Sequence, residues 1–268
     1  IAGSFGWCMF DYNTHKDFGS GDRICYHGVM DMFRNPKLAA SVYACEQDEI
    51  PVLQITSSMD IGEHPGCNRG NLYILSNADS VRMYKNDRFI KEYRPEMSPY
   101  KHLKHGPILI DDFIGDALEK NERFRPKHAK EMADAMNIVA RGSLNHIPKR
   151  LYPTALKLAL LYHIDFAEVT KLYTKYIGDW GGTATVYRFD AIKNDKVIKS
   201  VTKEPVNGIR LQAEADHTNL TEHHSYDVAL VRIRAVDAHG NVLPFYQEPV
   251  RITAEGDIAI IGPDTIEI

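Results

Sequence analysis

No stretch of 18 consecutive apolar residues occurs in this sequence, so no membrane-spanning helix is expected. Basic charge is not in excess either. Against 36 Asp and Glu stand 32 Lys and Arg, a formal net charge of -4, so no positive field exists to hold nucleic acid. Cysteine is scarce: Cys8, Cys25, Cys45 and Cys67 all lie in the first quarter, none in a Cys-x-x-Cys pair. That argues against a zinc site or a disulfide framework and for reduced, mostly buried thiols, which fits a cytoplasmic protein. The opening ten residues are apolar but lack preceding basic residues and a small-residue cleavage site, so they are not read as a signal peptide. What remains is an ordinary globular composition, 44% hydrophobic and 25% charged, in 268 residues, enough for two or three modest domains.

Residues 1–46 read as a strand over 3–12, a polar glycine-containing loop over 13–28, and a helix. Asn35 would be the helix N-cap and Pro36 its first residue, with Leu38, Ala39, Val42, Tyr43 and Ala44 following. Gln47-Asp48-Glu49 and Pro51 mark a boundary. Short strands are expected at 52–56, 71–76, 80–84 and 89–93, divided by Asn77-Ala78-Asp79 and Asn86-Asp87. Leu72 and Ile74, then Val81 and Met83, alternate as a half-buried antiparallel sheet requires.

Helical spacing interrupts the strands at 113–118, 126–140, 153–162 and 166–177. Asp165-x-x-Glu168 forms a capping box before the last of these, and Gly178 supplies its stop. Strands return at 184–192 and 197–202 about Lys193-Asn194-Asp195-Lys196, a faint echo of Lys85-Asn86-Asp87-Arg88. The two hairpins suggest one sandwich with a helical insertion. Further strands are expected at 209–213, 228–236, 250–254 and 258–261, with Arg232 and Arg234 on a wet face and Val231, Ile233 and Ala235 on a dry one.

Phe5-x-Trp7-x-x-x-Asp11, then Asp17-Phe18-Gly19, Asp22-Arg23, Gly28-Val29 and Asn35-Pro36-Lys37, resembles glycoside hydrolase family 2, and most closely the end of the catalytic barrel in its β-galactosidases. Ser76-Asn77-Ala78-Asp79-Ser80-Val81 through Asn86-Asp87 resembles the sandwich hairpin after that barrel, and Val231 through Pro244 the immunoglobulin-like module that often follows. The resemblance covers 1–93 and 183–268 in order. The helical block at 111–177 falls outside the common pattern. The resemblance implies a mainly β fold with a helical insertion. Residues 1–48 would be the remnant of a (β/α)8 barrel, its last strand and helix, and two immunoglobulin-like β-sandwiches follow. The first spans 49–206, interrupted at about 100–180, and the second 207–268.

Residues alternate along a strand, so Phe5, Trp7, Met9 and Asp11 would share one face. An indole at a barrel mouth offers a flat surface for the C–H face of a pyranose and an Nε1–H for a hydrogen bond. The resemblance makes Trp7 that platform, implies a non-proline cis peptide after it, and puts His27 in a sugar-contacting slot where relatives often carry Asn. Asp11, Asp17 and Asp22 could line the pocket, or cap turns and pair with Arg23, the reading preferred here. Cys25-Tyr26-His27-Gly28 has no Lys to grip a glucuronic acid carboxylate, which favours a neutral sugar.

Retaining glycosidases use two carboxyl groups about 5–5.5 Å apart. The resemblance implies that both are glutamates upstream of Ile1, so the isolated chain is expected to be inactive. Asn121-Glu122 copies the family's acid/base signature but follows a charged helical segment, and is read as a decoy. His102, His105, His223 and His224 are read as solvated loop residues rather than metal ligands. No cofactor and no metal are implied. The leading expectation is therefore the C-terminal part of a retaining exo-β-glycosidase acting on terminal β-D-galactosides, with mannosides, glucosides or amino sugars as alternatives. A non-catalytic carbohydrate-binding or assembly module, using Trp180 or Tyr246, is the competing expectation. Carbohydrate is the partner, no membrane or nucleic acid is expected, and a homo-oligomer is left open.

Overall fold

The computed structural model describes residues 3, 5–17, 21, 23–60, 68–142, 147–178, 184–205 and 207–268. The protein is mainly β, with a block of helices between its seventh and eighth strands. It divides into two compact units, Ile1–Glu204 and Pro205–Ile268.

The first unit opens with a minimal hairpin, β1 (Tyr12–Asn13) paired antiparallel with β2 (Ile24–Cys25), and then helix α1 (Leu38–Ala44). The expected strand over 3–12 is not regular. Among the described residues before Tyr12 only Phe10 bridges another segment, in parallel with Met30. A strand holds its extended form through neighbouring ladders, and one bridge supplies very little of that. The α1 helix also starts later than expected. Lys37, not Asn35, is its N-cap, because the Asn35 amide is drawn back onto the Asp31 carboxylate at 2.9 Å.

Strands β3 (Leu53–Ile55), β4 (Tyr73–Ser76) and β7 (Ile108–Leu109) form a three-stranded sheet in the order β3-β4-β7. A second sheet has the order β6-β5-β8-β9, from β5 (Ser80–Lys85), β6 (Arg88–Tyr93), β8 (Tyr187–Lys193) and β9 (Lys196–Lys203). The two echoing turns are the tips of its two hairpins. Asn86 and Asp87 have φ of 49° and 60°, and Asn194 and Asp195 have 51° and 59°, the left-handed pair that a tight two-residue hairpin demands. The hairpins lie side by side through β5 and β8, with Val81 opposite Ala191 and Met83 opposite Phe189. Tyr187, Phe189 and Ala191 are buried and alternate with half-buried Arg188 and Asp190, so this sheet has a dry face. The edge strand β9 carries Lys196, Lys199 and Lys203, a charge pattern that discourages further strand addition.

Helices α2 (Ala117–Glu122), α3 (Pro126–Arg141), α4 (Tyr152–Tyr162) and α5 (Phe166–Tyr173) complete the unit. The expected helix at 113–118 is displaced. Phe113 and Ile114 are buried in coil, where Asp112 Oδ1 accepts from the Ile114 and Gly115 N–H groups at 2.9 and 3.0 Å. The capping box holds, since Asp165 Oδ1 accepts from Glu168 N at 2.7 Å. One apolar cluster joins both sheets to the helices: Ile74, Met83, Phe113, Met132, Leu172 and Phe189 all belong to it.

The second unit contains two separate pairs, β10 (Arg210–Ala215) with β11 (Val231–Val236), and β12 (Pro249–Arg251) with β13 (Thr265–Glu267). The strand expected at 258–261 is absent, and 265–267 pairs with β12 in its place. The expected wet and dry faces of β11 are not separated either. Val231 is exposed, Arg232, Ile233 and Arg234 are all half-buried, and only Ala235 and Val236 are buried. Two-stranded ribbons offer no second layer against which a dry face could close. Among the described residues no helix is long and apolar enough to cross a membrane.

Candidate functional site

The site is built on a crossing of two backbone segments. Val29 N donates to Cys8 O at 3.1 Å, Met30 N to Met9 O at 2.8 Å, and Asp11 N to Met30 O at 3.0 Å. Gly28 sits where the segments touch. A Cβ there would lie 2.3 Å from both Asp11 N and the Phe10 carbonyl carbon, which no side chain tolerates. The Gly28 N–H donates to Asp11 Oδ1 at 2.8 Å, and Lys37 Nζ donates to the same oxygen at 2.6 Å and to Tyr26 O at 2.9 Å. The Lys37 ammonium, followed by the Gly28 N–H, holds the Asp11 carboxyl below the usual carboxylate range. Asp31 fixes the next turn, its Oδ1 accepting from Phe33 N at 2.8 Å and Asn35 N at 2.7 Å.

This frame presents three side chains together. Trp7 is 78% exposed and its Nε1–H donates to Tyr12 Oη at 3.3 Å. His27 Nε2 lies 3.3 Å from the same hydroxyl, and the Tyr12 and His27 rings meet edge to face at 5.5 Å. The Tyr12 hydroxyl thus stands between an indole and an imidazole. The Trp7–Cys8 peptide is cis, as the resemblance implies. The arrangement suits a neutral polyhydroxylated ligand, with a flat apolar ring to lie against and an imidazole and a phenol to exchange hydrogen bonds.

Trp7 and His27, both read from the sequence, come together at this point. Asp11 does not join them at the surface. Phe5, Trp7 and Met9 are exposed while Asp11 is buried, so the expected common face of the four ends at Met9. Asp17 lies 3.9 Å from His15 Nδ1, an exposed loop contact. Asp22, Phe18, Gly19, Cys67 and Trp180 lie outside the described residues. Sequence reasoning passed over Tyr12, and it quoted Lys37 in the Asn35-Pro36-Lys37 motif without giving it a role. Tyr12 directly follows Asp11, so alternation assigns it to the opposite face. The contact of Lys37 with Asp11 spans 26 positions.

The other candidate groups are occupied elsewhere. Glu122 Oε1 accepts from Lys175 Nζ and Tyr176 Oη, both at 2.6 Å, and these two bonds hold its carboxyl below the usual range. Tyr246 is half-buried, whereas its neighbour Phe245 is exposed. Cys8, Cys25 and Cys45 are free thiols, and burial pushes the Cys45 thiol up to about 12. A shallow cleft of about 250 Å³ lies between α1 and β4, lined by Leu38, Val42, Tyr73, Leu75 and Tyr100; none of Trp7, Tyr12 or His27 borders it.

No family model matches the chain. A β-galactosidase from Thermoanaerobacterium thermosulfurigenes is 31% identical over 275 residues, covering 100% of this chain and 30% of that protein. A β-galactosidase from Thermoanaerobacter pseudethanolicus is 44% identical over 111 residues, 40% of this chain and 15% of the relative. Among solved structures, a β-glycosidase from Bacteroides vulgatus superposes with a TM-score of 0.46 at 12% identity, covering 90% of this chain and 21% of that one. The chain thus spans less than a third of the length of the curated relatives it matches.

Proposed function

We propose, from the likeness of this chain to the C-terminal portion of the β-galactosidases of glycoside hydrolase family 2, that it supplies one wall of the sugar pocket in a retaining exo-β-galactosidase. The observation that carries this reading is the exposed Trp7 indole, tied through the Tyr12 hydroxyl to the exposed His27. In this role the indole receives the C–H face of the terminal galactose, and His27 takes or gives a hydrogen bond to one hydroxyl. Asp11 and Lys37 do not touch the sugar. They clamp the Cys8–Phe10 and Gly28–Met30 segments so that the two rings keep their separation.

Retention requires a nucleophilic carboxylate and an acid/base carboxyl on either side of the glycosidic bond. The likeness to that family implies that this pair consists of glutamates outside this chain, and we assign it so; Asp11 is committed to Lys37, and Glu122 to Lys175 and Tyr176. The isolated chain then turns over no aryl β-galactoside. Lys37 also bears on substrate choice. Its ammonium is spent on Asp11 and the Tyr26 carbonyl, which supports a neutral sugar over a glucuronide.

The test is Trp7→Ala in a full-length enzyme carrying this region. Loss of the platform lowers kcat/KM on an aryl β-galactoside on the order of 10²-fold, about 2.7 kcal/mol of transition-state binding. Near-normal kinetics would refute the assignment.

A further inference from the structure

We propose that Asn207–Gly208 is a site of self-catalysed covalent modification, at which the Asn207 amide is converted to a carboxylate, chiefly as isoaspartate. It is the one Asn-Gly step in the sequence. Both residues are exposed and lie in coil after β9 and before β10. Among the described residues neither enters a hydrogen bond, so neither the Asn207 side chain nor the Gly208 N–H is committed elsewhere. Gly208 has a φ of 82°, and a Cβ built on it would meet no atom within 4 Å. Glycine puts no side chain beside its own nitrogen, and here no neighbour crowds it either. The other asparagines lack this combination. Every one of them precedes a residue with a side chain. Asn77 Nδ2 donates to Gln47 O at 2.7 Å, Asn241 Nδ2 to Asp237 Oδ2 at 2.7 Å, and Asn86 Oδ1 accepts from Val186 N at 2.8 Å. Asn137 is buried and bonded through both of its side-chain polar atoms. Asn35 precedes Pro36, which has no N–H to lose.

The chemistry needs only water. The Gly208 amide nitrogen gives its proton to hydroxide and attacks Asn207 Cγ. A bond forms between that nitrogen and Cγ, and the Cγ–Nδ2 bond breaks. The side-chain nitrogen takes a proton from water and leaves as ammonia, which restores the hydroxide. A five-membered succinimide ring remains in the main chain. Water then adds to one of its two carbonyls and opens it. One opening gives aspartate; the other gives isoaspartate, with the main chain routed through the former side chain and one methylene longer. Either product places a negative charge three positions before Arg210, where β10 begins opposite Val236. Nothing in this reaction involves Trp7, Tyr12 or His27, so it stands apart from the sugar site. The isoaspartyl carboxylate is also the group that protein isoaspartyl methyltransferases esterify, and such an enzyme is the partner that the aged site fits.

Ageing the full 268-residue chain in mildly alkaline buffer, followed by mass spectrometry of the tryptic peptide Glu204–Arg210, tests the proposal. That peptide holds one Asn and no Gln, so a gain of one mass unit within it reports Asn207 alone. The gain should grow with time and run faster at higher pH, and a protein isoaspartyl methyltransferase should then methylate the peptide. A segment without hydrogen bonds opens at almost no cost, so the native chain should react within about threefold of the rate in urea. Asn207→Gln should abolish the gain, because closure there needs a six-membered ring. Asn207→Asp should gain no mass yet still acquire the isoaspartyl group, because it passes through the same succinimide. An unmodified peptide, a gain that appears first at another asparagine, or a native chain slower than in urea by more than about threefold overturns the proposal. A peptide that gains mass but is never methylated overturns the succinimide route in favour of direct hydrolysis.

Discussion

Gly28 and Asp11 are locked together twice, by the Gly28 N–H on the Asp11 carboxylate at 2.8 Å and by a backbone approach that leaves no space for a Cβ. That contact sets the distance between the strand-like segment carrying Trp7 and the one carrying His27. Everything the two rings could do to a ligand depends on it.

Gly28→Ala should therefore fail locally before it fails globally. The methyl would press on Asp11 N and the Phe10 carbonyl carbon, both backbone and neither free to swing away. Overpacking of this kind costs about 3 kcal/mol. The expected result is loss of hydrogen-exchange protection at Asp11 N and Met30 N, with the melting of the four-stranded sheet little changed. Native protection at those amides would show that the approach is not tight.

Tyr12→Phe isolates one hydroxyl. It removes the shared partner of Trp7 Nε1 and His27 Nε2 and leaves the ring contact with His27 in place. Both contacts are long and solvent-exposed, so stability should change by less than ~0.5 kcal/mol. Trp7 fluorescence should change as its Nε1–H loses its partner. In a full-length enzyme the proposed role predicts a fall in kcat/KM of about tenfold, or 1.4 kcal/mol. Unchanged Trp7 fluorescence would remove Tyr12 from the site.

Asp11 also gives a pH prediction with a definite sign. Its folded-state pKa is lowered from 3.8, chiefly by the Lys37 hydrogen bond and also by the Gly28 N–H. A depressed carboxyl contributes stability that is fully present above its unfolded value and is lost as pH falls through the lower folded value. The Gly28 amide, bonded to that carboxylate, should thus titrate with a midpoint below 3.8. A midpoint at or above the ordinary Asp value would mean that Lys37 is not its partner in solution.

Strands were readable wherever turn chemistry and alternation agreed. Asn86-Asp87 and Asn194-Asp195 sit at the hairpin tips because their short polar side chains tolerate positive φ, and Tyr187, Phe189 and Ala191 alternate cleanly. The 3.6-residue period located α3 to within one residue. The errors came where a local signal was overruled by a distant group. Asn35 looked like a cap until Asp31 captured its amide, and Phe113 looked helical until Asn137 and Asp112 held its loop. At the site, Trp7 and His27 were legible from spacing and resemblance. Tyr12 and Lys37 were not, because their contacts join positions 15 and 26 apart and no sequence pattern records that proximity.

Asn137 gives the last prediction and bears on whether the helical block is integral to the fold. Its side chain is buried on α3, where Oδ1 accepts from Phe113 N at 3.0 Å and Nδ2 donates to Asp112 Oδ1 at 2.8 Å. Phe113 is fully buried in the cluster that also holds Met83 and Phe189 of the four-stranded sheet. Asn137→Ala strands a buried N–H and weakens the turn that seats Phe113, which should cost about 1–3 kcal/mol. Because sheet and helices share one core, the loss should appear as a single lowered transition by both circular dichroism and intrinsic fluorescence. Two separated transitions, with the sheet melting as in the native chain, would mean that the helices fold as an appendage and the shared core does not couple them.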